Sequence, residues 1–257
     1  MPSMNVQTYN AITLGILASA VVVAIVLLFI RAPYGRYNQG PLAHGGVPVR
    51  WGWMIMELPA PLLIAAGAVL WGVAGSWPNV LLPLMWLSHY LFRTFVYPFR
   101  MRARPGDVMP WLPFLMAIVF NVLNGAGNAA AIAGVTGRPA VGDGELARFV
   151  AGFMVFYAGM YINRRADRVL MSLRAPRETT YRIPRGWLYE RVSCPNYLGE
   201  SLMWLGFALA ANTSAAWAFA AFTAANLWPR ALSHHRWYRE TFEGYPKKRK
   251  AIVPFIL

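Results

Sequence analysis

Long uncharged stretches alternate with short basic ones along this chain. Residues 11–30 are twenty positions without a charge, about the length a helix needs to cross a bilayer. Residues 51–73 are apolar apart from Glu57, and 77–97 are apolar up to a late polar cluster. A fourth run covers 109–135 and a shorter fifth covers 149–162. Residues 198–228 hold one charge, Glu200, over 31 positions, too long for one span. The tetrad Ala211-Asn212-Thr213-Ser214 predicts a tight turn that divides this run into two short helices. The pattern predicts an all-α, polytopic membrane protein with about seven transmembrane helices. It predicts one domain over 1–257 and shows no strand-rich segment, low-complexity tract or internal repeat. The first apolar run has no basic segment ahead of it and is long enough to remain as a span, unlike a secretory signal.

Composition agrees. The chain has 257 residues, 57% hydrophobic and 13% charged, whereas soluble domains carry about a quarter charged. The net charge of +14 would suit nucleic acid, but its placement does not. No Lys or Arg precedes Arg31, and every lysine lies in the run Lys247-Lys248-Arg249-Lys250. Seven spans with the N-terminus outside put Arg31, Arg36 and Arg50, then Arg100, Arg102 and Arg104, then 164–191, then 230–250 on the cytoplasmic side. The other side holds Arg138, with Arg148 at a boundary. The C-terminus is therefore expected in the cytoplasm, as is the polar insert 164–196. The single cysteine, Cys194, excludes an intrachain disulfide.

A charge in an apolar span costs roughly 2.5–3.5 kcal/mol on insertion scales, so Glu57 needs a reason. Pro59 and Pro61 follow it and loosen the helix there. Either a neighbouring helix satisfies the carboxyl, or an apolar site keeps it protonated as a hydrogen-bond donor. Tyr90, Arg93, Thr94 and Tyr97 repeat at i, i+3, i+4, i+7, a polar helix face that joins helices or lines a cavity. Asn163 and Asp167 are four apart, as are Asn196 and Glu200, and Arg230, His234 and Tyr238 follow at i, i+4, i+8. Together they offer Arg for phosphate, acids for hydroxyls and Asn for an amide, the inventory a dinucleotide needs. Helix–helix hydrogen bonding is the simpler account of any single pair.

Two motifs are set aside. Gly125-Ala126-Gly127-Asn128-Ala129-Ala130 matches a dinucleotide glycine fingerprint but lies in an apolar helix with no preceding strand, so it predicts close helix packing. His234 and His235 point about 100° apart on a helix and do not form a metal site.

Several segments together resemble the steroid 5α-reductase family, the 3-oxo-5α-steroid 4-dehydrogenases. They are Glu57-Leu58-Pro59, the run from His89-Tyr90 to Tyr97, Tyr181-Arg182-Ile183-Pro184, Asn196-Tyr197-Leu198-Gly199-Glu200, His234-His235-Arg236-Trp237-Tyr238, and the tail from Tyr245-Pro246-Lys247 to Pro254-Phe255. The resemblance covers roughly 50–257. It implies that Glu57 and Tyr90 hold the substrate's 3-keto group. It also implies NADPH as cofactor, contacted by Arg93, Arg104, Asn163, Asp167, Arg174, Tyr181, Asn196, Glu200, Arg230, His234 and Tyr238. Met56 departs from the family pattern, which often has Gln there, and one amide hydrogen bond near the substrate is lost.

The implied reaction reduces the Δ4 bond of a 3-oxo-Δ4 steroid or similar hydrophobic enone. Hydride goes to C5 and an enolate forms on the 3-oxygen, with the C4 proton coming from Tyr90 or water. The rivals are an isoprenylcysteine-type methyltransferase at the same polar cluster, or a non-catalytic sterol-binding or transport protein. The clustered arginines argue against the first, and polar groups displaced from mid-membrane argue against transport. The expected partners are the lipid bilayer and the substrate, without nucleic acid or metal, and the chain is expected as a monomer. Arg- and Ala-rich usage points to a bacterial inner membrane rather than the endoplasmic reticulum.

Overall fold

Uninterrupted apolar runs become helices because lipid offers the backbone no other hydrogen-bond partner. In the computed structural model the described residues are 4–31, 45–75, 77–101, 103, 106–137, 139–142, 144–173 and 180–257. The helices are α1 (Val6–Phe29), α2 (Val49–Glu57), α3 (Pro59–Leu70), α4 (Trp77–Phe95), α5 (Tyr97–Arg100), α6 (Trp111–Ile132), α7 (Leu146–Ser172), α8 (Pro195–Ala211) and α9 (Ser214–Thr241). The two strands, β1 (Gly46–Pro48) and β2 (Val108–Pro110), form a three-residue antiparallel ribbon that ties the starts of α2 and α6.

Among the described residues, four helical segments are long and apolar enough to cross a membrane: Val6–Phe29, Val49–Leu70, Trp111–Ile132 and Leu146–Ser172. Large apolar side chains such as Leu14, Val69, Val119 and Met154 point outward from them, each more than half exposed. That surface is costly in water and favourable in lipid.

Local chemistry sets the breaks. Pro59 and Pro61 lack backbone donors, so the helix is interrupted at Leu58. Asn121 on α6 donates Nδ2–H to the Met56 carbonyl at 2.7 Å, satisfying the bend. Between α8 and α9, Asn212 takes a left-handed conformation and Thr213 caps α9 by accepting the Ala216 N–H at 3.3 Å, which is the turn expected there. The fifth helix corrects the 149–162 expectation. It runs to Ser172, because 163–172 contain neither Gly nor Pro and are rich in good helix formers.

The largest interface joins α7 and α8. Gly152 and Gly159 on α7 and Gly199 and Gly206 on α8 sit at seven-residue spacing. A Cβ added at any of them would fall 2.3 Å from a backbone nitrogen of the other helix. These helices therefore touch backbone to backbone. Near its start, α7 sends Arg148 to the Leu209 and Ala210 carbonyls, satisfying the end of α8. Gly125 and Gly127 also pack closely, against Leu63 and Ile12, as their small size predicts. Trp86, Trp204, Phe207 and Phe219 fill the centre of the bundle.

The C-terminal tail closes one end. Val192 and Lys250 form a parallel bridge, and the Ser193 and Cys194 amides donate to Lys250 and Ala251 at 2.8 and 3.0 Å. Arg249 is buried and donates to the Pro184 carbonyl at 3.1 Å. The tail thus anchors the segment that carries Tyr181.

Candidate active site

The backbone contact of α7 with α8 places their polar side chains in register. A Cβ on Gly199 would meet the backbone of Asn163 itself. From there Asn163 Nδ2 donates to the Asn196 carbonyl at 3.1 Å and approaches Glu200 Oε2 at 3.5 Å. Asn196 Nδ2 donates to Asp167 Oδ1 at 3.3 Å. The two i, i+4 pairs read from the sequence are one continuous polar tier across two helices.

The bend at Leu58 and the polar face of α4 complete it. Arg93 Nε lies 3.4 Å from Glu57 Oε1, and both residues are largely buried. The Arg93 guanidinium stacks over Trp53 and Tyr97, 4.7 and 4.8 Å from the ring centroids, and interacts electrostatically with Glu57, Asp167 and Glu200. Tyr90, 4% exposed, stacks on Trp86 at 5.1 Å and lies within electrostatic range of Glu57 and Glu200. Glu57, Tyr90, Arg93, Asn163, Asp167, Asn196 and Glu200 therefore gather in one place. Arg93, which the resemblance implies as a cofactor contact, lies against Glu57 in this tier.

A second group adjoins this tier through Tyr197, which follows Asn196. Arg230 Nη2 donates to the Tyr197 hydroxyl at 3.0 Å, and that hydroxyl lies 3.2 Å from His234 Nε2. Tyr238 stacks parallel on Tyr245, centroids 5.3 Å apart, and Tyr181 meets Trp237 edge-on at 5.2 Å. Arg104 and Arg174 lie outside the described residues. No group of three metal-binding side chains occurs among the described residues.

Tyr197, Trp53 and Asn121 belong to this site although the sequence reading gave them no role. Tyr197 lay in plain view inside the Asn196–Glu200 motif. Asn121 had one signal, its spacing from Asn124 and Asn128 at i, i+3, i+7 in an apolar run. Trp53 had none.

Residues 107–257 match the sequence profile of the 3-oxo-5-alpha-steroid 4-dehydrogenase family. The chain is 41% identical over 249 residues to 3-oxo-5-alpha-steroid 4-dehydrogenase 1 of Bos taurus, covering 93% of each protein. It is 41% identical over 228 residues to the Homo sapiens protein of the same name, covering 87% of this chain and 85% of that one. It is 37% identical over 241 residues to the steroid 5-alpha-reductase DET2 of Arabidopsis thaliana, covering 91% and 90%.

Proposed function

We propose, from the premise that this chain belongs to the 3-oxo-5-alpha-steroid 4-dehydrogenase family, that it uses NADPH to reduce the Δ4 double bond of a 3-oxo-Δ4 steroid within a membrane. Family membership sets the methyltransferase and transporter readings aside. The observation that carries the proposal is the buried tier in which Glu57, Arg93, Asp167 and Glu200 meet beside Tyr90.

The donor set fits a nicotinamide dinucleotide. Asn163 and Asn196 match a carboxamide, Asp167 and Glu200 match ribose hydroxyls, and Arg230 matches phosphate. His234, Tyr181 and Tyr238 flank the same end, and Arg104 and Arg174 are further phosphate candidates. When bound, the cofactor supplies the hydride that adds to C5 of the enone.

As the C5–H bond forms, the Δ4 electron pair moves toward C3 and negative charge collects on the 3-oxygen. Tyr90 donates its O–H to that oxygen. Glu57 joins it in protonated form. A proton delivered to C4 from Tyr90 or water completes the reduction. Such donors act most strongly in a water-excluded site.

Tyr90→Phe tests this reading. It removes one hydroxyl from a packed ring, so NADPH affinity should hold while single-turnover reduction of a 3-oxo-Δ4 steroid slows about 10²–10³-fold, the usual effect of losing one such donor. A rate within threefold of wild type would remove Tyr90 from the chemistry. The seven-span, N-out topology belongs to the same proposal and sets the cofactor-facing ends in the cytoplasm. Protease-accessible tags at each terminus test it.

A further inference from the structure

The outer face of α7 carries a second polar site, turned away from the tier just described. Tyr161, Arg165, Arg168 and Ser172 follow at i, i+4, i+7, i+11, one stripe along the helix. Arg165 comes two residues after Asn163, about 200° around the axis, so the stripe faces opposite the contacts with α8. With Val169 these side chains line an open concavity of about 490 Å³.

The stripe is organised. Arg165 Nη1 donates to the Tyr161 hydroxyl at 2.7 Å, and its guanidinium lies 4.6 Å from the Trp187 ring centroid. Trp187 holds φ 54°, a costly conformation for a bulky residue, and Tyr161 packs edge-on against it at 6.3 Å. Neither Arg165 nor Arg168 makes a salt bridge among the described residues. Asp167 points to Asn196 and Glu190 to Gly186 and Arg249, so these acids serve elsewhere.

Position along the helix indicates the ligand. The 27 residues of α7 span about 40 Å, while a hydrocarbon core takes about 30 Å, or 20 residues. Counted from Leu146, the core ends near Arg165. The last two turns then lie in the headgroup layer, with Tyr161 and Trp187 at the interface where aromatic side chains collect. Two unneutralised guanidiniums and the Ser172 hydroxyl at that depth complement a phosphodiester.

We propose that this groove binds the headgroup of an anionic phospholipid. The inference rests on α7 crossing the bilayer and not on the reductase reading, so either can fail alone. The experiment is native mass spectrometry of the full chain released from micelles doped with phosphatidylglycerol or phosphatidylcholine. Wild type should retain phosphatidylglycerol preferentially. The double variant Arg165→Gln/Arg168→Gln should weaken that binding at least about tenfold. Val169→Glu, which keeps both arginines and adds a repelling charge in the groove, should do the same. Arg236→Gln/Arg239→Gln removes equal charge from exposed positions on α9 and should change it less than about twofold. Equal loss in both double variants, or wild-type retention by the first double variant and by Val169→Glu, would overturn the proposal. Complete displacement of the lipid by millimolar inorganic phosphate would overturn it too, by making the groove a site for free phosphate.

Discussion

Gly199→Ala offers a quantitative test of how the α7–α8 contact builds the site. The added Cβ would lie 2.3 Å from the Asn163 nitrogen and 2.7 Å from the Gly159 carbonyl oxygen. A carbon sits no closer than about 3.3 Å to a backbone oxygen in ordinary packing, so the helices must part by roughly 1 Å. Overpacking of this kind costs about 1–3 kcal/mol. Parting also stretches the Asn163–Asn196 bond from 3.1 Å to about 4 Å, beyond hydrogen-bond range. The natural control is Gly152→Ala, whose Cβ would fall equally close, 2.3 Å from Ala210 N, near the opposite end of the interface. Both variants should melt at lower temperature by similar amounts. Only Gly199→Ala should lose NADPH affinity strongly, by about tenfold, since about 1.4 kcal/mol of lost polar contact is a factor of ten. Gly152→Ala should stay within about threefold. Melting curves in detergent and cofactor titration by calorimetry read the two effects separately. Equal losses of affinity in the two variants would refute the claim that this contact positions the tier.

Further outcomes follow from single contacts. Arg230→Ala should weaken NADPH binding at least about tenfold while the fold survives; unchanged affinity in calorimetry would remove Arg230 from the site. Asn121→Leu leaves the buried Met56 carbonyl without its donor and should cost about 1–3 kcal/mol of stability, with a slower reduction rate because Glu57 is the next residue. An unaltered melting temperature would show that the bend does not depend on Asn121. The Gly142 amide, donating at 2.7 Å, holds the Glu145 carboxyl below the usual carboxylate range, aided by Arg148. A depressed folded-state value means stabilisation at neutral pH that is lost as pH falls through that value. Glu145→Gln should therefore lower stability at pH 7 by less than about 1 kcal/mol for so exposed a pair, and the gap to wild type should close as pH falls below the ordinary glutamate range and through the lowered value. A gap that persists in acid would assign the effect to something other than the charge.

Much of the architecture was legible because the bilayer and the backbone impose simple rules. Uncharged length marked α1 and α6, Pro59 and Pro61 marked the bend, and Asn212-Thr213 marked the boundary of α8 and α9. The second half of α7 was hidden because arginine, leucine and methionine continue a helix as readily as they form a basic loop. The polar pairs Asn163–Asp167 and Asn196–Glu200 were legible by their spacing, but their mutual contact was not. That contact depends on Gly152, Gly159, Gly199 and Gly206 facing one another, and a single sequence gives no pairing between two seven-residue repeats. The Glu57–Arg93 pair was hidden for the same reason. Each residue announced an ionisable group in an apolar setting, and only the packing of α2 against α4 makes them partners.

The central claim is that this tier directs a hydride from NADPH to C5 of a 3-oxo-Δ4 steroid. The most direct measurement uses the purified chain with NADPH deuterated at the transferring position of the nicotinamide, and mass spectrometry with NMR of the steroid product. The account predicts one deuterium at C5 of a 5α-reduced 3-oxo steroid, with product formation greatly slowed in Tyr90→Phe. A product without deuterium at C5, or cofactor oxidation with the steroid unchanged, would contradict it.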